Sequence, residues 1–131
     1  DQHRDIVIGP DRAARMDATA TALAAGVPIS LHCDTPVTPI SPLASMHHAV
    51  NRRTATGKLL GPDERLTPEQ ALEAVTLGSA FMLRMDGEIG SIQAGKFADF
   101  AVLDADPLAV APDEIAAIRV LATARGGVLR G

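Results

Sequence analysis

Tryptophan and tyrosine are absent from this 131-residue chain, and Phe81, Phe97 and Phe100 are its only Phe, Tyr or Trp side chains. Any core must therefore be aliphatic, built chiefly from Ala, Val, Leu and Ile. A single cysteine, Cys33, excludes an internal disulfide and suits a cytoplasmic protein. Positive charge is also scarce: the formal net charge is -4, and Arg52–Arg53 is the only adjacent basic pair. That balance excludes a broad nucleic-acid surface, and the pair reads as a solvated face or a helix C-terminal cap. No apolar run approaches the ~20 residues a membrane-spanning helix needs. What is abundant, 47% hydrophobic residues, argues against disorder.

Periodicity organises the first two thirds of the chain. Met16, Ala20, Leu23 and Ala24 recur at helical spacing across Asp11 to Ala25, with Gly26 placed to end that helix. Leu43, Met46, His47 and Val50 give a second helix with one apolar stripe; His48 lies off it. Gly57 to Arg65 reads as a polar loop. Thr67-Pro68-Glu69-Gln70 then supplies an N-cap, a proline at the first helical position and the glutamine of a capping box. This third helix is expected to run to Leu83 and to bury Leu72, Val75, Ser79 and Leu83. Beyond Asp86-Gly87 the character changes to short strands: Phe97 to Leu103, then Ile118 to Ala124 after a short helix near Asp113 to Ala117, and a reversal at Gly126-Gly127 toward Val128 and Leu129. The boundary divides the chain into 1–86 and 87–131.

Chemistry concentrates in Val27-Pro28-Ile29-Ser30-Leu31-His32-Cys33-Asp34, followed by Pro36, Pro39 and Pro42. Val27, Ile29 and Leu31 favour a strand and the prolines forbid its continuation, so Asp34 should stand at a strand's carboxyl end, where βα scaffolds keep their chemistry. Alternation puts Ser30, His32 and Asp34 on one face and Ile29, Leu31 and Cys33 on the other. The plainer alternative makes Asp34 a turn cap and His32 a hydrogen-bonded strand histidine. His47, on an apolar stripe, reads as core or as a supporting residue.

Three stretches resemble the C-terminal part of the amidohydrolase superfamily, in the branch of long enzymes that includes N-substituted formamide deformylases: Val27 to Pro39, Ala49 to Thr54, and Ile89 to Phe100. The resemblance implies that Asp34 ends the eighth strand of a (β/α)₈ barrel, approaches a catalytic divalent metal, usually zinc, and handles the proton of the attacking water. It implies that His32 contacts substrate or orders Asp34, and that the remaining metal ligands come from strands with no counterpart here. Relatives usually carry serine where this chain has Cys33, which is expected to face away from the lumen. Gly95, Lys96 and Asp99 belong to the resembling signature and are expected to shape a turn and form a surface charge pair.

A complete barrel needs about 250 residues, and 131 cannot hold one. The expected fold is therefore α/β: the last βα units of a barrel, followed by strands of a small β-sandwich, incomplete as an isolated chain. Asp1-Gln2-His3-Arg4 shows no start methionine or signal core and reads as an internal boundary. Without a His-x-His or His-Glu-x-x-His pattern, the chain alone is expected to bind metal weakly and to be catalytically silent. The parent would hydrolyse a small amide-like substrate, and unpaired strand edges would favour a homodimer. Two alternatives remain: a non-catalytic regulatory or interaction module derived from the amidohydrolase fold, and a generic α/β domain in which Asp34 is only a turn residue.

Overall fold

The computed structural model describes residues 1–131, which form a helical layer followed by a three-stranded antiparallel sheet. After one π-helical turn at His3–Val7 come α1 (Pro10–Ala13) and α2 (Thr19–Ala24). The continuous helix expected over Asp11 to Ala25 is thus two short ones, because Asp17 between them takes a left-handed backbone, φ +52°. The carbonyls exposed by this break are recovered from afar, since the Arg52 guanidinium donates to those of Met16 and Asp17. Gly26, φ +74°, ends α2 as expected, in a Schellman motif: Val27 N–H donates to Ala22 O at 3.0 Å and Gly26 N–H to Leu23 O at 2.9 Å.

α3 (Pro42–Asn51) starts on Ser41, whose hydroxyl accepts from Ala44 N–H at 3.2 Å, and ends on Arg52 at φ +47°. Met46, Ala49 and Val50 are its buried residues, and His47 is half-buried, bonded to Asn51. The loop expected at Gly57 to Arg65 contains a 3₁₀ turn at Pro62–Glu64. Its Glu64 is buried, which the polar pattern did not suggest.

The capping box forms as expected: Thr67 and Gln70 exchange side-chain and backbone bonds at the start of α4 (Pro68–Val75). The helix does not reach Leu83 in one piece. It breaks at Thr76, whose hydroxyl donates to Leu72 O at 2.7 Å, and resumes as α5 (Leu77–Met82). The break turns the burial pattern toward alanines: Ala71, Ala74 and Ala80 are buried, Leu72 and Val75 half-buried, and Leu83, expected inside, is 66% exposed.

β1 (Phe100–Leu103), β2 (Val120–Arg125) and β3 (Val128–Arg130) pair in the order β1-β2-β3, with β2 and β3 joined by the Gly126-Gly127 reversal. Asp99 accepts from Gly126 N–H at 2.6 Å and so pins that turn, while Lys96 donates to the carbonyls of Asp86 and Ile89. The charge pair expected of Lys96 and Asp99 does not form, because each is satisfied by backbone. A 3₁₀ helix at Pro112–Ala117 returns to α3, where fully buried Ile115 joins Met46, Ala49, Val50, Leu66 and Ala71 in one core cluster. Helical and strand regions therefore share a core.

The strand expected over Val27 to Cys33 does not form. These residues belong to no ladder, for the physical reason that a strand exists only with a hydrogen-bonding neighbour and none adjoins them here. Ile29 and Leu31 instead pack against the core cluster, and Leu31 N–H makes one long bond, 3.4 Å, to Ala74 O. Gly78 permits this approach: a Cβ there would stand 2.3 Å from Ile29 O.

Candidate functional site

The segment 27–35 delivers its polar end into a cavity of about 500 Å³ between α3, α4 and α5. Leu31, His32, Cys33, Asp34 and Thr35 form one wall. Pro42 and Ser45 of α3 face them, with Val75 and Ser79 beside the helix break. Both predicted site residues, His32 and Asp34, thus come together at one opening, and both are exposed. His47 does not line it.

Asp34 sits at φ +51°, a left-handed conformation that Asp tolerates better than most residues. It begins a tight turn, its carbonyl accepting from Val37 N–H at 2.8 Å, and its own N–H donates to His32 Nδ1 at 3.1 Å. Thr38 donates to Cys33 O and Thr35 to Thr38 O, closing the loop on itself. Asp34 lines the cavity, and its carboxylate makes no hydrogen bond within the chain.

Cys33, expected to face away from His32 and Asp34, instead lines the same cavity as both, because the segment forms no strand and its side chains therefore do not alternate between two faces. Sγ lies 3.3 Å from Ser45 Oγ and accepts from Ser41 N–H at 3.2 Å. The Ser45 hydroxyl foremost, then the Ser41 N–H, hold the thiol below its ordinary pKa. These two serines were not singled out from sequence as neighbours of the site, although Ser41-Pro42 is a readable helix start.

Glu64, also unanticipated, anchors the segment from behind. Only 5% exposed, it accepts from Thr21 N–H at 2.9 Å and from the Thr21 hydroxyl, while its carbonyl accepts from Thr19 Oγ1 at 3.0 Å. The Thr21 hydroxyl foremost, then its N–H, lower the Glu64 pKa, with Arg52 and Arg15 adding charge attraction. This fixes α2, and hence the direction in which residues 27–34 leave it. No local signal marks a contact across 43 residues.

Metal binding fits this chain poorly by itself. Zinc commonly takes three or four protein ligands, and no group of three or more His, Cys, Asp or Glu side chains comes together to hold one. Asp34 and His32 offer at most part of a coordination shell.

The amidohydrolase family profile matches residues 1–130. An N-substituted formamide deformylase of Arthrobacter pascens is 44% identical over 108 residues, 82% of this chain and 20% of that enzyme. Protein LONG AFTER FAR-RED 3 of Arabidopsis thaliana is 33% identical over 122 residues, 92% of this chain and 21% of that protein. A solved amidohydrolase from Thermotoga maritima MSB8 superposes with a TM-score of 0.64 at 26% identity, covering 85% of this chain and 24% of that one. The chain thus spans about a fifth to a quarter of these relatives, and its fold, which includes a small antiparallel sheet, matches part of a solved amidohydrolase. With the profile matching nearly its whole length, this chain belongs to the amidohydrolase family.

Proposed function

We propose that this chain contributes the proton-transfer carboxylate of a metal-dependent hydrolase acting on carbon–nitrogen bonds of the amide or formamide class. The observation that carries this reading is Asp34, held at φ +51° with its carboxylate free in a cavity at the end of an unpaired segment. A carboxylate so placed takes the proton of an attacking water and delivers it to the leaving nitrogen. Similarity to an N-substituted formamide deformylase supports the substrate class. The other ligands of the metal, zinc being the expected ion, and the second sheet of a β-sandwich belong to parts of the parent enzyme outside residues 1–131.

The alternative is a self-standing regulatory or interaction module derived from the same fold. Phe81, Met82 and Leu83 are 49%, 50% and 66% exposed together at the end of α5, an apolar patch of the kind that packs against a further part of a larger protein or against a partner. The open outer edges of β1 and β3 give the isolated chain a route to a homodimer.

Elemental analysis of the dialysed chain, after exposure to trace zinc and removal of loose ions, tests the division of labour. Zinc near zero per chain supports it, and zinc near one refutes it. In the full-length enzyme, Asp34→Asn should lower kcat by about 10²- to 10⁴-fold. Retained turnover in that variant would remove Asp34 from the chemistry.

A further inference from the structure

We infer that His32 is a substrate-binding hydrogen-bond donor, holding the scissile carbonyl oxygen through Nε2–H, and is not a metal ligand. The inference rests on the reading of the cavity as an amidohydrolase site. Its physical basis is one hydrogen bond whose direction is not negotiable. A backbone N–H can only donate, so in the 3.1 Å contact between Asp34 N–H and His32 Nδ1 the ring nitrogen must be the acceptor. A neutral imidazole carries one proton, and with Nδ1 supplying a lone pair that proton resides on Nε2. Ligation at Nε2 would require a ring stripped of both protons, and ligation at Nδ1 would break the bond to Asp34.

The remaining N–H has a use. His32 lines the same cavity wall as Asp34, is exposed, and makes no other hydrogen bond within the chain. The left-handed backbone at Asp34 starts the turn closed by Val37 N–H on Asp34 O, and the Asp34 N–H that precedes this turn donates to the ring. One short segment therefore presents two groups on the same cavity wall: a carboxylate that moves a proton, and an N–H donor. A neutral donor in a cavity suits a carbonyl oxygen, whose negative charge grows as water adds to the carbon.

The test has two parts. Nitrogen-15 NMR of this protein labelled at its four histidines, with the His32 signal assigned by its loss in His32→Gln, reports which ring nitrogen carries the proton. We expect the Nε2–H form, with both nitrogens unmoved by one equivalent of zinc. A proton on Nδ1, or a zinc-induced shift of either His32 nitrogen, overturns the inference. In the full-length enzyme, His32→Ala should lower kcat/KM by about a hundredfold with zinc content unchanged, and His32→Gln, whose amide N–H reaches the Nε2 position, should recover most of that loss. Loss of zinc in His32→Ala, or equal defects in the two variants, would overturn it too. Asp34→Asn keeps the backbone N–H, so the His32 tautomer should survive in a variant that has lost turnover. An active Asp34→Asn enzyme with the expected tautomer would refute the role of Asp34 without touching that of His32.

Discussion

Ile115 offers the sharpest test of how the two regions of the chain hold together. It is 0% exposed and packs into the cluster formed by α3, Leu66 and Ala71, the same cluster that supports Ile29 and Leu31 beneath the cavity. Ile115→Ala removes three carbon atoms, about 2.4 kcal/mol at ~0.8 kcal/mol for each. The cavity left behind raises the loss to about 3–4 kcal/mol, since the neighbours collapse only in part. Such a loss is a large share of the ~5–15 kcal/mol that typical domains possess. Ile115→Val, which deletes one carbon, should cost about 1 kcal/mol and remain fully folded. Exposed Ile92, at 86%, serves as control, and Ile92→Ala should stay within about 0.5 kcal/mol of the parent. Urea unfolding followed by circular dichroism measures all three. The reasoning fails if Ile115→Ala costs less than about 1 kcal/mol, or no more than Ile115→Val, because the strand region would then not share the helical core.

Three further outcomes follow from individual contacts. Gly78→Ala would force a Cβ to 2.3 Å from Ile29 O, so it should destabilise by about 1–3 kcal/mol and raise hydrogen exchange at Leu31 N–H; unchanged exchange would show that α5 does not hold the segment. Thr67→Ala removes the N-cap of α4 and should cost about 1 kcal/mol in urea unfolding, with Gln70→Ala costing less because the Thr67 cap survives. Glu64 has a folded pKa below its ordinary 4.5, so it binds fewer protons folded than unfolded, and its contribution is full above about pH 4.5 and declines as pH falls through the lower folded value. Glu64→Gln should therefore be less stable than the parent at pH 6 and show a flatter dependence of the urea midpoint below pH 4.5; parallel curves would contradict the role of its carboxylate.

The parts of this molecule legible in the sequence are those decided by neighbours in the chain. The Thr67–Gln70 capping box, the Gly26 terminus, the stripe of α3 and the Gly126-Gly127 reversal each depend on backbone geometry and periodicity within a few residues, and each stands where it was expected. His32 and Asp34 were found by pattern and resemblance, and they do share a cavity. Tertiary structure decided the rest. Whether Val27 to Cys33 becomes a strand depends on partner backbones that no property of those residues supplies. The breaks at Asp17 and Thr76 persist because Arg52, 35 residues from Asp17, satisfies freed carbonyls at the first, and because Leu31 and Ser79 share the Ala74 carbonyl near the second. Burial of Glu64 against Thr21 likewise joins residues far apart in the chain. Local propensity sets which short elements can exist. Only long-range hydrogen bonding and packing determine where they stop and which side chains meet, because those free energies arise between groups that the sequence does not place side by side.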